Sequence, residues 1–277
     1  MRCEVLIIGV RIKYYEIPMK RILASLFLIL VSGCGVIPSP AILAALPQGC
    51  TSAGEIVRAE LSQPARGYPY DYRVYLPPCF SSEGQARFPV LYLVPGRNSA
   101  PDAWFNAGLA EVVDGLILSG EIPPLIIVAT ENTDFDPMGE TIYEELIPYV
   151  ESHYPIIKDR RYRAVAGGSL GGIAAYRLAF QYPDKFSSAG IFGAGAISGE
   201  EKQIDAWLAS MTDANRIRVF MDTGDEDIFM LDRARVMKSI LDEAGLENQL
   251  HVGQGGHTYA YWLSNFEMYL EWLIQDW

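Results

Sequence analysis

The stretch "RAVAGGSLGGIAAYRLAF", Arg163–Phe180, decides how the rest of the chain is read. It begins as a short apolar run. It then passes Gly167, Gly168, Gly171 and Gly172, which surround the lone Ser169, and continues with helical character. Gly167-Gly168-Ser169-Leu170-Gly171 fits G-x-S-x-G, a pattern that is weak by itself. Here it follows a strand-like run and opens a helix-like one, the strand–turn–helix setting of a nucleophile elbow. A serine at such a bend sits on strained backbone, and neighbours without bulk let strand and helix approach closely. Its oxygen then projects above the sheet. The backbone N–H of Leu170, at the helix start, is placed to face a developing oxyanion.

Outward from this stretch the pattern alternates. Strand-like runs are Glu55–Leu61, Tyr70–Leu76, Pro89–Val94, Leu125–Thr130, Arg163–Gly167, Ser188–Phe192, Arg216–Asp222 and Asn248–Gly253. Helix-like runs are Ala103–Leu118, Glu140–His153, Leu170–Gln181, Glu201–Ser210, Asp232–Ala244 and Tyr259–Gln275, with Gly245 placed to stop the fifth. The first two strands are joined by only a turn, so they should pair antiparallel. From "FPVLYLV" onward, strands alternate with helices. This predicts an α/β architecture, a mostly parallel eight-stranded sheet with helices on both faces. No linker divides residues 51–277.

A serine hydroxyl needs a base, and the chain has three histidines. His153 reads as a surface or packing residue at a helix end, and His251 as a mid-strand residue. His257 follows "GQGG" in a loop after the last strand, where α/β sheets place their chemistry. His257 is therefore the candidate base. The acid that orients it should fall between the serine and the histidine. "VFMDTGDEDIF" offers Asp222, Asp225, Glu226 and Asp227, of which Asp227 lies furthest into the loop and is preferred. A second oxyanion donor is expected in "LVPGRNSAPDAWF", from the N–H of Arg97 or, failing that, of Asn98. Trp104 could wall the substrate site or pack at a helix start.

The N-terminus reads as a processing segment. "MKRILASLFLILVSGCG", from Met19, has a basic start at Lys20 and Arg21 and an apolar run too short to span a bilayer. Val31-Ser32-Gly33-Cys34 resembles the lipobox of bacterial lipoproteins, which implies a lipid on Cys34; the alternative is an ordinary signal peptide. Residues 1–33 are thus expected to be a signal region, with 1–18 preceding a better start at Met19. Residues 34–50 read as a tether, rich in proline and small residues. Export would leave Cys50 and Cys79 in an oxidising compartment, which predicts one disulfide rather than two free thiols. No Cys/His spacing suggests a metal, and no cofactor is implied. With 34 acidic against 22 basic residues, nucleic acid is a poor partner.

The sequence resembles the esterase D-like branch of the α/β hydrolases, which includes feruloyl, acetyl-xylan and enterochelin esterases, S-formylglutathione hydrolases and mycolyltransferases. The resemblance runs over roughly residues 55–275. It rests on "YRVYLPP", "FPVLYLVPG", "LIPYVESHYPI", "AVAGGSLGGIAAYRLAFQYPDKFSSAGIFGA", "TGDEDIF" and "GGHTYAYW". It implies the α/β-hydrolase fold and a triad of Ser169, Asp227 and His257 acting without a cofactor on a small or carbohydrate-linked ester. One departure is Pro95-Gly96, where the family has His-Gly, which leaves the oxyanion loop open. The expectation is an exported, lipid-anchored serine esterase held to a membrane through Cys34. An acyltransferase with the same triad and a non-catalytic binding lipoprotein are the alternatives. The ester, the membrane and the oligomeric state are not specified by these residues.

Overall fold

A computed structural model describes residues 42–62, 69–132 and 139–277. The signal region and Cys34 lie outside the described residues. Eight strands form the main sheet: β1 (Glu55–Leu61), β2 (Tyr70–Leu76), β3 (Val90–Val94), β4 (Ile126–Thr130), β5 (Arg163–Gly168), β6 (Ser188–Phe192), β7 (Arg218–Gly224) and β8 (Asn248–Gly253). Their spatial order is β1-β2-β4-β3-β5-β6-β7-β8. β2 is antiparallel to both β1 and β4, and every other pairing is parallel.

Every residue of β3, β4, β5 and β6 is buried, because helices cover both faces of the sheet. Alternate residues of β3 serve the two faces. Val90, Tyr92 and Val94 pack with α3 (Ile147–His153), α4 (Leu170–Gln181), α5 (Glu201–Ala209) and α6 (Ile228–Glu243). Leu91 and Leu93 pack with α1 (Ala103–Asn106), α2 (Leu109–Ser119), α7 (Tyr259–Ser264) and α8 (Phe266–Leu273).

The helices depart from the sequence reading at four places, one being the run Glu140–His153, where Ile142–Leu146 is a π-helical turn ahead of α3. The run Ala103–Leu118 is interrupted at Gly108, whose φ of 108° is left-handed. The run Tyr259–Gln275 breaks at Asn265, which has ψ 3°. α6 begins at Ile228 rather than Asp232; Ile228 and Phe229 at its start are exposed, and its buried apolar stripe begins only at Leu231. Gly245 does end α6, with φ 65°. The expected tether joins the fold from Ile42. Ile42–Leu43 pairs in parallel with Ala86–Arg87, and Ala44 is buried in the core, because this apolar run has surface to bury.

Asp222, near the end of β7, is fully buried. It accepts His251 Nδ1 at 2.5 Å and Tyr261 Oη at 3.1 Å on one oxygen, and Tyr269 Oη at 2.6 Å on the other. One carboxylate thereby ties together β7, β8, α7 and α8. Burial, then the charge of Asp222, pushes both phenols well above the ordinary tyrosine range, so they stay donors. Cys50 and Cys79 are bonded, with Cα atoms 6.0 Å apart.

Two stability measurements follow from these contacts. Reducing the disulfide, or Cys79→Ser, is expected to lower unfolding stability by about 3–4 kcal/mol, given the 29-residue separation it closes, as read by denaturant titration with and without reductant. Asp222→Asn sets an amide N–H₂ against buried donors and is expected to remove about 1–3 kcal/mol by the same titration; an unchanged midpoint would show that the four elements do not depend on this carboxylate.

Candidate active site

Ser169 is the single residue between β5 and α4. Its φ of 57° and ψ of −124° lie in a region that costs a non-glycine residue about 1–3 kcal/mol. Its N–H donates to Phe192 O at 2.8 Å, and its carbonyl accepts Gly172 N–H at 2.9 Å. The bend is held by close backbone contact. A Cβ at Gly171 would lie 2.2 Å from Val94 O, and one at Gly167 would lie 2.4 Å from the Gly171 carbonyl. No side chain larger than hydrogen fits either position. Leu170 N–H is the first amide of α4 and has no helix carbonyl one turn earlier to bond.

His257 and Asp227 come together from the loops after β8 and β7, with Nδ1 2.5 Å from Oδ2. Three bonds join those loops: Asp225 N–H to Gly253 O at 2.8 Å, Glu226 N–H to Gly255 O at 2.9 Å, and Gly255 N–H to Asp225 Oδ1 at 3.0 Å. The three candidate aspartates thus have separate places: Asp222 holds His251, Asp225 holds the loop, and Asp227 holds His257. His153 is exposed, stacks on Tyr149 at 3.9 Å and bonds to the Tyr149 carbonyl.

The Phe192–Gly193 peptide connects the two halves of the site. Phe192 O accepts the Ser169 N–H, while a Cβ on Gly193, which has φ 53°, would lie 3.1 Å from His257 Nδ1. Trp262 fills the space behind: its ring packs edge-on to His257 at 5.1 Å, and a Cβ at Gly168 would strike it at 2.7 Å. Among the described residues the Ser169 hydroxyl makes no hydrogen bond of its own. Catalytic contacts of unliganded sites are often long and tighten on substrate.

The loop after β3 lies against the serine. A Cβ on Gly96 would sit 3.8 Å from Ser169 Cβ. Arg97 follows in an exposed turn closed by Ser99 N–H to Gly96 O at 3.2 Å, with Asn98 at φ 51°. Trp104 does not wall the site. It is fully buried, packed against Phe192, Tyr259, Trp262 and Phe266, because α7 and α8 cover it. The sequence reading missed Tyr259, Trp262 and Asn132. The first two stand at i, i+3 in "HTYAYW" directly after the histidine, the one local sign that this helix faces the site.

Residues 129–273, just over half of the chain, match the Esterase family, described as "Putative esterase". An endo-1,4-beta-xylanase/feruloyl esterase from Xylanibacter ruminicola is 27% identical over 195 residues, which are 64% of this chain and 25% of that protein, so the chain spans a quarter of that relative's length. Among solved structures, a ferulic acid esterase matches with a TM-score of 0.72 at 26% identity, over 82% of this chain and all of the other. An S-formylglutathione hydrolase from Staphylococcus aureus shares the fold at a TM-score of 0.69 and 18% identity, over 83% of this chain and all of the other. The chain belongs to the Esterase family and has the α/β-hydrolase fold.

Proposed function

We propose that the protein is a serine carboxylic ester hydrolase working through an acyl-enzyme, exported and anchored by a lipid on Cys34. The observation that carries the reading is Ser169 at its left-handed, one-residue bend, with the His257–Asp227 pair across the Phe192–Gly193 peptide.

In this reading Ser169 Oγ attacks the ester carbonyl while His257 Nε2 takes its proton. Asp227 keeps the His257 Nδ1 proton in place and supports the imidazolium. The N–H groups of Leu170 and Arg97 hold the oxyanion. Collapse of the tetrahedral adduct expels the alcohol, which receives the proton from His257. Water, deprotonated by the same histidine, then releases the acid and restores the serine. Relatives named for feruloyl ester cleavage support hydroxycinnamoyl esters, including carbohydrate-linked ones, as the first substrates to try. The lipid anchor rests on the Val31–Cys34 motif alone.

Ser169→Ala is expected to lower kcat on p-nitrophenyl acetate and methyl ferulate by roughly 10³–10⁶ and to abolish fluorophosphonate labelling. A purified variant that still turns over at the normal rate would end this reading. Asp227→Asn should lower kcat by roughly 10⁴, leaving the histidine with the wrong tautomer. For the anchor, Cys34→Ala in a bacterial host should stop incorporation of labelled palmitate; unchanged incorporation would remove the lipid from Cys34.

A further inference from the structure

We propose that Tyr259 and Asn132 are positioning residues for the oxyanion. They clamp the two ends of one peptide plane, Pro95–Gly96, and so aim the next amide, Arg97 N–H, at the carbonyl that Ser169 attacks. The inference rests on the ester-hydrolase reading above.

The Pro95 carbonyl and the Gly96 N–H belong to a single rigid plane. Asn132 Nδ2 donates to the carbonyl at 2.8 Å, and the amide donates to Tyr259 Oη at 2.9 Å. These partners lie 37 and 163 positions away along the chain. Both are well supported. Asn132 is buried just beyond β4, and its own N–H reaches Ser99 O at 3.4 Å, on the far side of the same turn. Tyr259 opens α7, with its ring edge-on to Trp104 at 5.0 Å and to Trp262 at 5.2 Å.

The loop needs outside help. Proline offers no N–H and no polar side chain, and glycine is the residue with most backbone freedom. The Pro95–Gly96 peptide also borders the elbow, since a Cβ at Gly171 would lie 2.5 Å from Pro95 O. A swing of this plane would move the following amide relative to Ser169. Removing an oxyanion donor outright costs about 10²–10³ in kcat. Letting one drift should cost somewhat less, on the order of 10–100-fold.

The test is Tyr259→Phe, which deletes the hydroxyl and keeps the ring. It reads steady-state hydrolysis of p-nitrophenyl acetate, inhibition by an alkyl trifluoromethyl ketone, which forms a tetrahedral adduct with an active serine, and Tm. The expected result is a kcat about 10–100-fold lower with KM within about twofold, and ketone affinity weakened in step with kcat/KM. Asn132→Asp should do the same from the other end of the plane, and the double variant should lose less than the product of the two. If Tyr259→Phe does not fold, Asn132→Asp carries the test. Folded variants with kcat within twofold of the parent overturn the clamp. So does a raised KM with kcat intact, which would make Tyr259 a substrate contact. Ser169→Ala run alongside separates the two failures: turnover surviving there sinks the ester-hydrolase reading itself.

Discussion

The first turn of α4 meets the ends of β3 and β5 backbone to backbone, at a distance that excludes even a methyl group at Gly171. With the helix that close, only one residue can bridge strand and helix, and that residue is forced to φ 57°. Its strain, about 1–3 kcal/mol, is offset by what the contact permits. α4 buries Ile173, Tyr176, Leu178 and Phe180, and each such side chain contributes roughly 1.5–3 kcal/mol. The packing of one helix therefore outweighs the strain at its first residue. The same approach sets the end of β3, and so the Pro95–Gly96 loop, beside the serine.

Two histidine–aspartate pairs stand at the ends of β7 and β8, and their surroundings separate them. Asp222 is sealed and accepts three hydrogen bonds, so it fastens four elements at the root of the loops. Asp227 and His257 lie beyond that knot, joined to each other and backed by Trp262. The order matters physically. Two loops that were free to move apart would hold a 2.5 Å contact poorly. The Asp222 network and the three bonds between the loops remove that freedom before any substrate arrives.

Much of this was legible in the sequence. The strands β3 to β6 read as short, mostly apolar runs between turn signals, and the elbow is local, with strand, bend and helix inside eighteen residues. The preference for Asp227 over Asp222 needed only its distance into the loop. What escaped depended on contacts remote in the chain. Trp104 has the same sequence context whether it walls a site or lies under α7 and α8. Residues 42–44 join the fold because Ala86–Arg87, remote in the chain, offers a pairing edge and the core takes Ala44. α6 extends one turn ahead of its sequence pattern because Ile228 and Phe229 in that turn are exposed, against the rule that a helix shows its apolar face inward. The partners of Pro95 and Gly96 are side chains no periodicity could have assigned.

α7 shows how little local stability such a site requires. Six residues are too few for a helix to persist in water. Thr258 caps it, accepting Tyr261 N–H at 3.2 Å, but one cap contributes only about 1 kcal/mol. Its remaining support comes from its side chains, which leave the helix in three directions. Tyr259 reaches Gly96, Tyr261 reaches Asp222, and Trp262 packs against His257, Gly168 and Gly193. These contacts link the loop after β3, the root of β7, the elbow and the histidine loop. The break at Asn265 lets α8 turn away and lay Phe266, Tyr269, Leu270 and Leu273 into the core. The aromatic side chains of α7 pack into the same core and also hold the loops of the site. A helix that exists because of the site, and a site whose loops meet through that helix, form one cooperative unit.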